Sequence, residues 1–188
     1  MPIIIGPVNK YLTKNKGVMM GKRSSFCRKE RDFYPTPYNA VLPLIPYLPL
    51  FYDDPCAGDG ALINHLSCCY AICCYASDIY PMGDNIIERD ALTITECISG
   101  TFITNPPWDR KLLHPLILTL SSIAPTWLLL DADYGYTKQS SEFMKICERI
   151  VAVGRLRWIP NSNMTGKDNC AWYKFDVRHT GDTIFVGR

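Results

Sequence analysis

The stretch from Leu50 to Leu66 leaves this chain little choice of fold. Leu50-Phe51-Tyr52-Asp53 is an apolar run ending in a carboxylate, and Ala61-Leu62-Ile63-Asn64-His65-Leu66 opens a helical pattern. Between them lies the turn Asp54-Pro55-Cys56-Ala57-Gly58-Asp59-Gly60. Strand, glycine turn and helix in that order give a glycine motif its meaning. Gly58 and Gly60 allow the backbone to turn tightly and to approach a ligand closely. The turn lacks the third glycine of a dinucleotide fingerprint, and it has no Gly-Lys-Ser/Thr of a phosphate-binding loop.

The rest of the chain repeats the alternation. Tyr70–Ala76 reads as a second strand, ending at Ser77-Asp78-Ile79, and Ile86–Leu92 reads as a short third strand with Asp90 at its end. Thr101-Phe102-Ile103 leads into Thr104-Asn105-Pro106-Pro107-Trp108, the tip of another buried strand. Lys111–Ile123 predicts a helix interrupted by Pro115; Trp127–Asp131 predicts a strand; Ser140–Glu148 predicts a helix. Late strands are expected over 149–154, 172–177 and 183–186. The expected class is α/β, with a mostly parallel central sheet, helices on both faces and a C-terminal antiparallel hairpin. Before the first strand, Thr36 is placed to cap a helix that begins at Pro37. Pro43, Pro46 and Pro49 must then end or kink that helix.

Ligands of open α/β sheets bind where the strands end. At Asn105 the chain offers an amide, two rigid prolines and an indole. Pro106 has no N–H, but its carbonyl is a free acceptor, and both Asn105 and Pro106 precede a proline and are held extended. Trp108 supplies a flat face on which a base can stack. Two acceptors beside an aromatic plate suit the exocyclic amine of a planar heterocycle.

This motif resembles the Asn/Asp-Pro-Pro-aromatic signature of amino-methyltransferases that use S-adenosylmethionine. Asp54-Pro55-Cys56-Ala57-Gly58-Asp59-Gly60 resembles the cofactor loop of Rossmann-like class I methyltransferases, and Tyr34-Pro35-Thr36-Pro37 resembles the segment that folds over their cofactor. Together the motifs resemble a small, phage-like N6-adenine DNA methyltransferase, best over residues 33–135. The resemblance implies that Asn105, Pro106, Pro107 and Trp108 are catalytic. It implies cofactor contacts from Tyr34, Thr36, Pro37, Asp54, Pro55, Cys56, Ala57, Gly58, Gly60, Asp78, Ile79, Asp90, Ala91 and Asn105. Asp78, about 20 positions past the glycine turn, would take the ribose hydroxyls; Ile79 would cover the cofactor adenine, and Asp90 would accept from its amine. Trp replaces the commoner Tyr or Phe of the signature. The family's long sequence-reading segment is missing here. RNA adenine and protein glutamine methylation use the same signature, and a non-catalytic nucleic-acid-binding protein on this scaffold is a further alternative.

Charge points the same way. Residues 1–31 carry Lys10, Lys14, Lys16, Lys22, Arg23, Arg28, Lys29 and Arg31 against Glu30, a net of +7, whereas the remainder carries a net of −5. A basic, flexible arm of residues 1–31 ahead of a single catalytic domain of residues 32–188 suggests a polyanion partner, expected to be DNA. The polar loop between the late strands, with Arg155, Arg157 and Lys167, is a candidate substrate contact. No apolar run approaches the ~20 residues of a membrane span, and nine cysteines with no export signal suggest reduced thiols and a cytoplasmic setting, in a bacterium or a phage-infected cell. Cys68, Cys69, Cys73 and Cys74 lie in an apolar run and are expected as core, with no metal site. Asp131-Ala132-Asp133 reads as turn carboxylates, and His114 as a helix-face residue.

Overall fold

Eight strands make one sheet in the computed structural model, which describes residues 33–159 and 166–188. The expected basic arm therefore lies outside the described residues, as do residues 160–165 of the late loop. The strands are β1 (Phe51–Asp54), β2 (Ile72–Asp78), β3 (Ile87–Glu88), β4 (Phe102–Thr104), β5 (Thr126–Asp131), β6 (Cys147–Arg155), β7 (Asn169–Phe175) and β8 (Ile184–Val186). Four α-helices accompany them: α1 (Tyr38–Val41), α2 (Ala61–Ser67), α3 (Arg110–Ile123) and α4 (Ser141–Met144).

The order across the sheet is β3-β2-β1-β4-β5-β7-β6-β8. The pairs β1/β2, β1/β4, β2/β3 and β4/β5 are parallel. β7 inserts antiparallel between β5 and β6, which makes the expected hairpin, and β8 returns parallel to β6. After β1 the chain builds outward through β2 and β3, then crosses back to place β4 on the other side of β1. That reversal opens a crevice beyond the C-terminal ends of β1 and β4.

Both faces of the sheet are covered, and β5 shows why its sequence is continuously apolar. Trp127 and Leu129 pack with α1 and α2 residues Val41, Leu62 and Leu66 on one face. Leu128 and Leu130 pack with α3 residues Leu113 and Ile117 on the other. In α3 the buried positions Leu113, Leu116, Ile117, Leu120 and Ser121 follow the three-and-four spacing of one helical face. Asp109 caps that helix, accepting from the Lys111 amide at 3.0 Å.

Several boundaries differ from the sequence reading. Helix α3 runs unbroken through Pro115, because the proline sits on an exposed face and the apolar stripe on the other face holds the helix together. The expected helix over Ser140–Glu148 shortens to α4, because Cys147 is already captured by pairing with Phe175. The third strand shortens to β3; Asp90 instead accepts from the Leu92 amide at 2.9 Å and caps a single 3-10 turn. β2 is less buried than its composition suggests, since only α2 and the two-residue β3 shield that side, and Ile72 and Cys74 are exposed. Thr36 caps nothing; Pro37 takes the cap position of α1 without a side-chain bond. Pro43 and Pro46 lie inside a 3-10 turn, Leu42–Tyr47, that continues α1.

Among the described residues all cysteines are free, and no cluster of three or more His, Cys, Asp or Glu side chains is arranged to hold a metal. No described helix is long and apolar enough to cross a membrane.

Candidate active site

The crevice has a floor, a cradle and an aromatic wall. The cradle is the turn after β1. Gly58 and Gly60 adopt φ of +57° and +80°, in the left-handed region that favours glycine. The Ala57 amide donates to the Ser77 carbonyl at 2.9 Å, and the Gly58 amide donates to Asp78 Oδ2 at 2.8 Å. The Tyr80 amide donates to Asp78 Oδ1, also at 2.8 Å. Asp78 thus sits at the tip of β2, 20 positions beyond Gly58, locked against the turn. A carboxylate has about four lone-pair sites, so two bonds leave both oxygens able to accept from a ligand. Ile79 beside it is exposed, and Met82 closes the turn by donating its amide to the Gly58 carbonyl at 2.9 Å.

Beneath the cradle lies Asp54, fully buried, with Oδ1 accepting from the Cys56 amide at 3.2 Å and Oδ2 without a partner. Burial pushes its carboxyl up to about 7, against the opposing pull of the Thr104 hydroxyl and the Cys56 amide. Thr104, at the tip of β4, is also buried, and its hydroxyl satisfies no hydrogen-bond geometry. Burial likewise pushes the Cys56 thiol above its ordinary range, so it is no nucleophile at neutral pH. Pro55 is buried; Ala91 packs in a core cluster with Ile94 and Phe102. Asp53 is structural, accepting from the Ile98 amide at 2.6 Å.

Asn105 leaves β4 at the centre of the crevice. Its Nδ2 donates to Thr36 Oγ1 at 3.1 Å and, more weakly, to the Tyr34 carbonyl at 3.4 Å. A carbonyl only accepts, so the amide nitrogen must face that segment and Oδ1 must face away. The stretch Tyr34–Pro37 thereby orients the candidate catalytic amide. The segment is in turn held to the sheet, because Trp172 Nε1 donates to the Ala40 carbonyl of α1 at 2.7 Å.

Trp108 donates its indole N–H to the Leu129 carbonyl of β5 at 2.9 Å, which fixes the plane of the ring. Two further aromatics, unassigned from sequence, complete the wall. Trp158 meets Trp108 edge-on, with centroids 5.7 Å apart and planes at 86°, and meets Tyr34 at 6.2 Å. Phe33 lies against Gly58, so close that a Cβ there would come within 2.7 Å of its ring. The signal for Trp158 was present in Arg155-Leu156-Arg157-Trp158, an aromatic that follows two cations just past a strand end. Arg155, Arg157 and Lys167 are all exposed and lie on this same edge, since β6 runs parallel to β5 across β7.

The residues present fit S-adenosylmethionine. A glycine cradle without a Cβ, a carboxylate at the second strand tip and an exposed Ile79 suit a nucleoside with a charged tail. Asp90, whose Oδ1 caps a turn, keeps its second oxygen as an acceptor.

No family model and no curated protein matches the chain. Among solved structures, it is similar to a dimethyladenosine transferase from Plasmodium falciparum, with a TM-score of 0.48 and 14% sequence identity over 77% of this chain. The chain spans 62% of the length of that protein.

Proposed function

We propose that this chain transfers a methyl group from S-adenosylmethionine to the exocyclic amine of a nucleic-acid base, adenine N6 in DNA. One observation carries the reading: the Asn105 amide is pinned by its nitrogen to Thr36 and Tyr34, leaving Oδ1 as an outward acceptor at the crevice between β1 and β4. The cofactor, when bound, supplies an electrophilic methyl on a sulfonium. The chain's own residues make the amine a competent nucleophile. Asn105 Oδ1 and the Pro106 carbonyl would accept hydrogen bonds from its two N–H groups and stabilise the positive charge that grows on nitrogen as the new N–C bond forms and the methyl–sulfur bond breaks, the sulfur leaving as a neutral thioether and the surplus N–H proton passing to water. Trp108 and Trp158 hold the extruded base by contact with its rings. Positioning the amine in line with the methyl lowers the barrier further. Gly58, Asp78, Ile79 and Asp90 hold the donor.

The basic arm and the exposed Arg155, Arg157 and Lys167 favour a polyanion over a glutamine side chain as substrate. The deciding experiment is transfer of labelled methyl to DNA, RNA and protein in parallel, followed by nucleoside analysis of the product. N6-methyladenine in DNA is the expected product. Label confined to RNA shifts the substrate class, and label in none of the three overturns the reading.

A further inference from the structure

Half of the cations in residues 32–188 gather on the edge of the sheet that carries Asn105. They are Arg155, Arg157 and Lys167 on one flank, and Arg110, Lys111 and Lys138 on the other. The ion pairs among the described residues, Lys145–Glu142, Lys174–Glu148 and Arg178–Asp176, lie elsewhere. On an acidic body, six cations outside any described ion pair on one edge form an electrostatic track. The acids interspersed with these cations are Asp109, Asp131, Asp133 and Asp168, of which Asp109 and Asp131 are engaged in capping; Asp54, Asp59, Asp78 and Asp90 stand on the same edge at its β1–β3 end, away from the six cations.

The second flank also carries a flat apolar plate. Tyr136 is 87% exposed, at the end of the 3-10 turn Ala132–Tyr136 that leaves β5. The backbone beneath it is fixed: the buried Tyr173 hydroxyl donates to the Ala132 carbonyl at 2.8 Å and accepts from the Gly135 amide at 3.2 Å. Tyr134, on the same turn, packs in the cluster against which Trp108 rests. Arg110 donates to Gln139, tying the start of α3 to the residues just past Tyr136. A rigid turn that presents an aromatic ring to solvent among cations is the combination that stacks bases of an unpaired strand.

We infer that Tyr136, with Arg110 and Lys138, forms the second wall of the substrate cleft, and that its ring stacks on a base flanking the target in a single-stranded or locally opened polynucleotide. This rests on the function proposed above. The strand runs from Arg155, Arg157 and Lys167, past Asn105 and Trp108, to Tyr136. Phosphates lie on the cations, and neighbouring bases rest on the tyrosine while the target base enters the crevice.

The test is the affinity of the full chain for fluorescein-labelled single-stranded DNA and RNA of the same sequence, by anisotropy at several salt concentrations, together with the KM for methyl transfer. Tyr136→Ala weakens binding and raises KM by roughly tenfold, the loss expected of one base stack, and Tyr136→Phe restores both. Tyr70→Ala, which removes an equally exposed tyrosine (88%) at the opposite edge, leaves them unchanged. The double change Arg110→Gln with Lys138→Gln flattens the salt slope on single strands by about 1.4. A larger loss on one nucleic acid than on the other identifies the natural strand. If the unaltered chain binds and methylates a polynucleotide while Tyr136→Ala equals it in affinity and KM, this inference fails and the function stands. If the unaltered chain neither binds nor methylates any polynucleotide, the function fails and this inference with it.

Discussion

Asn105→Ala separates the proposed chemistry from binding. The substitution removes Oδ1, which in the proposed reaction accepts from the amine on which charge develops in the transition state. It also removes the Nδ2 bonds to Thr36 Oγ1 and the Tyr34 carbonyl, at 3.1 and 3.4 Å. A preorganised polar group of the first kind is worth about 100- to 1,000-fold in kcat. Only one of the two anchoring contacts is of full hydrogen-bond length, so the cost in stability is about 1 kcal/mol, or roughly 2–4 °C in Tm for a chain of this size. Thr36→Val isolates the anchor. It leaves Asn105 in place but frees the amide to rotate, so the loss is that of one neutral hydrogen bond, about 2- to 13-fold in kcat. Asn105→Asp keeps an outward acceptor; its second oxygen can take the Thr36 hydroxyl proton but faces the Tyr34 carbonyl, so it recovers at least roughly tenfold over Ala. The assay is single-turnover methyl transfer to an oligonucleotide, with cofactor affinity measured by calorimetry on the same preparations. The reasoning is refuted if Asn105→Ala keeps more than about a tenth of the turnover, or if Thr36→Val loses cofactor affinity in proportion to kcat, which would make Thr36 a cofactor residue and not an anchor.

Gly58→Ala forces a Cβ into the left-handed region at φ +57° and to within 2.7 Å of the Phe33 ring. It is expected to cost at least about 1–2 kcal/mol in chemical denaturation and to weaken the cofactor roughly tenfold; an unchanged unfolding midpoint would count against the strained turn. Asp54 carries a carboxyl raised from 3.8 to about 7 by burial. Its contribution to stability is therefore fully present below the unfolded value and is lost as pH rises through about 7. Between pH 4 and 8 the natural chain should lose on the order of a few kcal/mol relative to Asp54→Asn, read from denaturation midpoints, and parallel pH profiles would reject the buried acid. Pro115→Ala restores a backbone donor to the exposed face of α3 and should raise Tm by several degrees, given the ~3 kcal/mol cost of an interior proline; a lower Tm would show that the ring packs usefully. Deleting residues 1–31 removes eight cations and should flatten the salt dependence of DNA binding by about 0.9 for each phosphate that the arm neutralises; an identical slope would clear the arm of that role.

Local order was legible; contacts between distant segments were not. β1, its glycine turn and α2 could be read because each constrains the next within a few residues, and Asp78 because a strand returning beside β1 brings its tip back to the turn. Asn105-Pro106-Pro107-Trp108 advertised itself by composition. Its orientation did not, because Thr36 lies 69 residues away and the bond depends on where α1 docks. Trp158 was missed for the same reason: it reaches Trp108 only because β7 turns the chain back and aims the exit of β6 at the exit of β4. Pro115 misled because propensity is a local quantity, whereas α3 is held by five buried positions along its length.

The ties that shape the crevice have a common form. Asn105 donates to the segment before α1, Trp108 to the carbonyl of Leu129, and Trp172 to the carbonyl of Ala40. Each is a side-chain N–H reaching a backbone or hydroxyl oxygen on another element, and each fixes an orientation that apolar packing alone leaves free. The four residues of α1 are too few to form a stable helix by themselves, so the position of Thr36 depends on burial of Ala40, Val41 and Leu44 and on the Trp172 bond. The orientation of the Asn105 amide thus depends on β7, more than sixty residues downstream of Asn105. Residues far from Asn105, in the α1–Trp172 contact, hold the geometry on which the proposed chemistry would depend, and the amide is oriented only in the folded whole.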